Sequence, residues 1–397
     1  MKKNILQNTV GIAVLCLIIF YSGLAGSKNK TPWSVRTVHS LMVQNADTIE
    51  YPGVAKSARW DYERGVVLQS VYQLYLTTHK KEYLEFIKKH IDLYVQKDGS
   101  IRTYEYLSFT LDNIATGRNL LALYKETNDK KYKIAADTLR KQLAQQPRTN
   151  EGGFWHKKIY PYQMWLDVLY MAEPFYAEYA KMFHNSADFD DIANQFIWME
   201  QHSRDSKTGL LYHAWDESKQ MPWADKQTGC SSYFWGRAIG WYAWALVDVL
   251  DYLPQDHAKR KELIAIFQRL SKTLLQFREP QSKLWYQIVD QGNRTGNYIE
   301  SSTSCMFVYA FAKGANKGYL DKKYLTAAKE SFKGILDSMV TVDEKGIVSL
   351  HHACQGAGLG GNPYRDGSYE YYIGEKQRTN DFKAIGPFIL AALELKK

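Results

Sequence analysis

The sequence predicts an all-α protein, an (α/α)6 barrel of six helical hairpins, with a long Gly- and Tyr-rich loop before the last helix. Three observations lead there. Segments with apolar residues at helical spacing recur in pairs, with roughly fifty residues or more per pair, which is the spacing of a helical repeat. Every second helix opens on a polar and aromatic cluster, near Asp61, Asp112, Asp167, Arg237, Glu300 and Asp381. If the helices alternate up and down, those starts ring one mouth, where free N–H groups and helix dipoles favour anions. Finally, no Pro/Gly/Ser-rich linker or charge run divides the chain, so residues 26–397 read as a single domain. An α-solenoid in which the same residues are plain N-caps is the rival, and Asp61, Asp112 and Asp381 suit capping well.

Ahead of that domain, Lys2 and Lys3 form a basic start, Val10 to Tyr21 an apolar run, and Gly23-Leu24-Ala25 a small-residue cleavage site. Residues 1–25 therefore read as a signal peptide. The run is too short for a membrane span. The expected address is the periplasm. A lipid anchor through Cys16 ranks second, because bulky Leu15 precedes it and much of the apolar run follows it.

In chain order, Ser34 to Asn45 is a first helix capped by Ser34. Arg64 to Thr78 carries an apolar stripe from Val67 to Tyr75, and Glu82 to Val95 pairs with it until Gly99 breaks the pattern. Leu111 to Glu126 pairs with Lys131 to Gln145, and Pro161 to Lys181 with Asp191 to Ser203. Gly209 to Asp216 reads as a short extended segment and loop. Phe234 to Leu253 pairs with Ala258 to Gln276, and Asn297 to Lys313 with Leu320 to Met339. Gly346 to Gly374 is the long loop, and Asp381 to Leu395 the last helix.

The Pro161 helix carries the strongest chemical signal. Pro161 suits its first turn, Pro174 ends or kinks it, and Tyr162, Met164, Trp165, Leu166, Val168 and Leu169 make it apolar on every face. Asp167 sits among them. A buried carboxylate without a paired cation holds its proton toward neutrality, as a general acid must. The plain alternative is an Asp tied to a neighbouring backbone group in the core. Arg237 has a similar setting, between Trp235, Ile239 and Trp241. A buried Arg needs an acidic ligand or an acidic partner, either Asp248 or another core acid. Trp235, Trp241 and Trp244 with Gly236 and Gly240 suggest a wall that binds a sugar ring, although such Trp residues also fill cores. His156 and Lys157 precede the Asp167 helix and are placed in the same cleft, while His213 lies between Tyr212 and Trp215.

Other chemistries find little support. Two scattered His do not make a metal site, and HExxH and Cys/His knuckles are absent, so no metal and no cofactor are predicted. Cys230, Cys305 and Cys354 form neither a knuckle nor a paired framework. The Gly356 to Gly361 run lacks the Lys-Ser/Thr of a phosphate loop, and Gly-x-Ser-x-Gly is absent. The net charge of +9 is scattered Lys without a basic stripe, which argues against nucleic acid and allows an acidic small substrate.

Taken in order, Trp155-His156-Lys157, Gln163-Met164-Trp165-Leu166-Asp167, Leu211 to Asp216, Phe234-Trp235-Gly236-Arg237 with Gly240-Trp241, and Tyr364 to Ser368 resemble glycoside hydrolase family 105, the unsaturated rhamnogalacturonyl hydrolases. The resemblance runs from about Trp60 to the C-terminus. It implies an (α/α)6 barrel that removes a 4,5-unsaturated uronic acid from the non-reducing end of lyase-generated oligosaccharides. It implies Asp167 as catalytic acid/base, Asp112 as a second pocket carboxylate, and His156, Lys157, His213, Trp235, Arg237 and Trp241 as substrate contacts. Ala384 departs from the pattern, where the family places Gly. The expected partner is an anionic unsaturated oligosaccharide, with no nucleic acid, no stable membrane span after leader removal and no assignment of oligomeric state. The rivals are a conventional inverting glycosidase or polysaccharide lyase on the same barrel, and a non-catalytic sugar-binding protein.

Overall fold

The computed structural model describes residues 31–51 and 59–396; the predicted leader and Cys16 lie outside them. In chain order the helices are α1 (Trp33–Gln44), α2 (Tyr62–Thr78), α3 (Lys81–Asp92), α4 (Gly117–Thr127), α5 (Lys130–Gln145), α6 (Leu166–Met182), α7 (Asp188–Ser203), α8 (Gly236–Val249), α9 (Arg260–Gln276), α10 (Ser301–Asn316), α11 (Lys322–Ser338), α12 (Tyr369–Gly374) and α13 (Phe382–Glu394). The ring α2, α4, α6, α8, α10, α13 is closed: each packs on the next, and α13 returns to α2. Outside it, α3, α5, α7, α9 and α11 each pack on the inner helix before them, and α1 packs on α13. The N-terminal helix is thus the outer partner of the last inner one.

Patterning explains which helix lies where. Every residue of α8 is buried, and so is every residue of α10 from Ser301 to Gly314, as suits helices surrounded by protein. The outer α3 buries one stripe, Tyr83, Phe86, Ile87, His90 and Ile91, and leaves its other face to solvent. No helix among the described residues is long and apolar enough to cross a membrane.

The inner starts gather at one mouth, and three are capped by their own side chains: Asp61 and Asp381 as the sequence suggests, and Glu300 in addition. Asp61 accepts from the Arg64 N–H, Asp381 from that of Lys383, and Glu300 from those of Ser302 and Thr303. Asp112 differs. It lies in a short 3-10 turn, Leu111–Asn113, ahead of α4 and makes no cap.

The expected helix from Pro161 is shorter than its pattern. Tyr162 has a left-handed backbone (φ 62°), and Gln163–Trp165 form a strand, β1, paired antiparallel with β2, Ala214–Asp216. Trp165 is extended, α6 begins at Leu166, and Asp167 stands in its first turn rather than its middle. Pro174 lies inside α6 without ending it. A second carboxylate, Glu173, is also fully buried in this helix, its charge disfavoured by burial and then by nearby Asp191. Two further ribbons, β3 (Val340–Val342) with β4 (Val348–Leu350) and β5 (Ala353–Cys354) with β6 (Gln377–Arg378), brace the long loop before α13.

Gly236 and Gly240 prove to be packing residues. A Cβ on Gly236 would stand 2.5 Å from Thr303 Cγ2, and one on Gly240 2.7 Å from Met306 Sδ. Small residues let α8 approach α10. Thr303 is branched and held by Glu300, so Gly236→Ala has no room to relax and is expected to destabilise the fold by about 1–3 kcal/mol. Denaturant titration against wild type measures this.

Candidate active site

The β1–β2 ribbon that shortens α6 also builds the site. The Leu166 N–H donates to the His213 carbonyl at 2.9 Å, so entry into β2 carries His213 beside the first turn of α6. His213 Nε2 then lies 3.2 Å from Asp167 Oδ2. Asp167 is 9% exposed and His213 fully buried, so the carboxyl has a partner where the sequence suggested none. The other ring nitrogen, Nδ1, is 2.7 Å from the Tyr372 hydroxyl. Aromatic rings enclose the pair: Trp165 edge-on to His213 at 5.3 Å, Trp235 at 4.8 Å, and Tyr160 stacked on Trp165 at 5.1 Å.

A second cluster stands beside it. The His156 N–H donates to Gln163 of β1, and the Leu111 N–H to the His156 carbonyl, so one backbone ladder ties β1 to the turn holding Asp112. That turn packs on α6. Asp112 Oδ1 is 2.8 Å from His156 Nε2, and Oδ2 is 2.6 Å from Lys157 Nζ. Burial pushes the Asp112 carboxyl up, but the Lys157 ammonium and the His156 ring outweigh it and hold it well below the usual carboxylate range. Burial likewise pulls Lys157 down, and the Asp112 charge more than reverses this. The two form a fixed ion pair.

Asp112 and Lys157 line a cleft of about 950 Å³ at the mouth, with Tyr62 and the exposed Leu107 and Ile159. Trp241 stands behind this wall, edge-on to Tyr62 at 6.2 Å and against Tyr170 at 4.4 Å. The Trp235 indole donates to Gln287 at 3.2 Å. Arg237 is buried, and its acidic neighbour is Glu300 at 3.4 Å, not Asp248. It also donates to Ser302 Oγ at 2.7 Å and to the Cys354 carbonyl, joining the starts of α8 and α10 to β5.

This geometry can be set beside known proteins. A family model described as Glycosyl Hydrolase Family 88 matches residues 33–397. A solved glycoside hydrolase of family 105 from C. acetobutylicum ATCC 824 is 43% identical, covers 92% of this chain and 99% of its own, and superposes with a TM-score of 0.88. The chain belongs to the family 88/105 glycoside hydrolases. Among other relatives of this hydrolase, the unsaturated rhamnogalacturonyl hydrolase YesR of Bacillus subtilis is 29% identical over 296 residues, 73% of this chain and 78% of that one. The unsaturated glucuronyl hydrolase of Bacillus sp. GL1 is 14% identical and shares the fold, with a TM-score of 0.68 over 92% of this chain and 95% of its own.

The sequence reading missed several residues of the hydrolase's mouth. Tyr160 and Trp165 form the stacked platform beside both His residues, and Tyr160 accepts a 2.8 Å hydrogen bond from Arg365 of the long loop. Their place between His156 and Asp167 was the available signal. Tyr372 sits in the Tyr369-Glu370-Tyr371-Tyr372 run, where nothing local marks one ring over its neighbours.

Proposed function

We propose that this hydrolase removes a 4,5-unsaturated uronic acid from the non-reducing end of lyase-generated oligosaccharides, with rhamnogalacturonan fragments as the first choice. The name of the YesR relative and the ordered motifs around Asp167 support that choice. The observation that carries the mechanism is the unequal state of Asp112 and Asp167. Asp112 is held as an anion by Lys157 and His156, whereas Asp167 faces a single His213. An inverting glycosidase needs a free general base as well as an acid, with carboxyls about 6.5–9.5 Å apart. A carboxylate locked in an ion pair is a poor base, so the arrangement favours chemistry that needs one cycling carboxyl.

Double-bond hydration is such chemistry. Asp167 delivers H⁺ to C4 of the unsaturated ring, and positive charge develops over C5 and O5. Water adds to C5 while the Asp167 carboxylate takes a proton from it. The resulting hemiketal opens and releases the next sugar, and Asp167 is protonated again. Lys157 and the helix starts favour the anionic substrate, and the buried Trp235, Arg237 and Trp241 support from behind the wall that receives the ring. The basic and apolar segment from Lys2 to Tyr21 supports export of the enzyme.

The test follows absorbance of the conjugated enol acid on lyase-generated disaccharides while free reducing sugar is counted. Equal loss of chromophore and gain of sugar is expected. Sugar release from saturated glycosides, with chromophore untouched on every unsaturated uronide, overturns the proposal.

A further inference from the structure

His213 has two ring nitrogens to satisfy in a fully buried position. Nε2 faces Asp167 Oδ2, and neither atom has a hydrogen-bond partner elsewhere; at 3.2 Å they stand opposed without yet lining up as a hydrogen bond. Such contacts tighten when substrate closes the site. Nδ1 meets Tyr372, itself fully buried, whose hydroxyl makes this one hydrogen bond among the described residues. A neutral imidazole carries one N–H, so the Tyr372 bond decides which nitrogen has it.

The two directions are unequal. If the Tyr372 O–H donates to Nδ1, every group is satisfied and Nε2 presents its N–H to Asp167. In the reverse direction the hydroxyl hydrogen is stranded without an acceptor, and whenever Asp167 is ionised the Nε2 lone pair confronts a carboxylate oxygen. Burial, with the Tyr371 and Asp167 charges adding, pushes the Tyr372 phenol well above its ordinary value and keeps it an O–H donor. Arg365 acts against this rise, and Asp366 adds to it. The Tyr372 backbone is also held. Gln287 donates to the Tyr372 carbonyl at 3.2 Å and accepts from the Trp235 indole.

We propose that Tyr372 is a positioning residue that sets His213 as the Nε2–H tautomer and thereby decides which oxygen of Asp167 handles the proton. The role rests on the reaction proposed above. With the His213 N–H directed at Oδ2, the transferable proton resides on Oδ1 and is free to reach C4. Once it has gone, the same N–H supports the carboxylate until water returns a proton. In the other tautomer, Oδ2–H would point at Nε2 and the proton would be aimed away from the sugar. The step moves one proton from Asp167 to C4 and recovers one from water; His213 and Tyr372 exchange none.

The test has two arms. Long-range ¹H–¹⁵N correlation on histidine-labelled protein reads the His213 tautomer without substrate, the signal being assigned with a His213→Gln variant. Nε2–H is expected in wild type, and an Nδ1–H population in Tyr372→Phe. In turnover, Tyr372→Phe should lower kcat roughly 10- to 100-fold while KM stays within about 2-fold, since the isosteric ring leaves the wall in place. Nδ1–H in the wild type overturns the proposal, even if the variant fails to fold. So does a kcat loss without a tautomer change, or wild-type kcat in the variant. A wild-type enzyme that is inactive on unsaturated uronides while His213 reads Nε2–H rejects the proposed reaction and with it the role of Tyr372, yet leaves the tautomer assignment standing, so the two failures are told apart.

Discussion

Asp167→Asn is expected to lower kcat by roughly 10⁴-fold, the upper end of what one positioned acid–base group contributes, because the same carboxyl serves both protonation at C4 and water addition at C5. Asn keeps the shape and still offers an oxygen to the His213 N–H, so the first turn of α6 should be undisturbed. Substrate affinity should survive, since the ion pair of Asp112 with Lys157 and the aromatic wall are untouched. The predicted signature is therefore lost turnover with retained binding, read by titrating tryptophan fluorescence with unsaturated disaccharide beside the chromophore assay. Trp165 and Trp235, on either side of His213, are the expected reporters. A variant that keeps most of its turnover removes Asp167 from the chemistry. One that loses turnover and binding together makes it a binding group instead.

The barrel was legible because burial on all sides leaves a mark on composition. The α8 and α10 segments are apolar nearly throughout, and outer helices such as α3 alternate, so inner and outer could be told apart before any contact was known. Local capping was legible for the same reason: Asp61 and Asp381 act within three residues of themselves. What escaped depends on distant pairing. The helix pattern from Pro161 is sound by periodicity, and it is overruled by Met164 meeting Trp215 across a ribbon. The acid facing Arg237 is Glu300, which the sequence marks only as a helix start. Asp112 resembles a cap in sequence, and its real partners arrive with the backbone ladder from β1. Asp167 and His213 were each visible as candidates, yet their contact exists because the ribbon places β2 beside the α6 start.

The largest expected loss of stability lies far from that contact, at Asp248 near the C-terminal end of α8. Its carboxylate receives Arg118 at 2.8 Å, Lys313 at 2.6 Å and the Tyr309 hydroxyl at 2.7 Å, tying α4 and α10 to α8; Arg118 continues to Glu178 of α6 at 3.1 Å. Arg118, Asp248, Tyr309 and Lys313 are buried, and Glu178 is partly exposed. Burial pushes the Asp248 carboxyl up, while Lys313 and then Arg118 outweigh it and bring it down to about 2. Removing the carboxylate leaves buried Arg118 with Glu178 alone and buried Lys313 with Asp251 alone, at 2.7 Å, so Asp248→Ala is expected to destabilise the barrel by about 3 kcal/mol, the lower end for a broken buried pair. The pH dependence has a definite sign. The folded carboxyl is depressed relative to the unfolded one, near 3.9, so its contribution is complete above that value and fades as pH falls toward about 2. The gap between wild type and Asp248→Asn in chemical denaturation should therefore be widest near neutrality and narrow through the acid range. Turnover by whatever fraction stays folded should match wild type, because the network sits toward the C-terminal ends of α6, α8 and α10 while the mouth is built from their N-termini. Equal stability of Asp248→Asn and wild type at neutral pH would show that Glu178 and Asp251 suffice for Arg118 and Lys313, and Asp248 would lose its place as the fastening of the barrel's closed end.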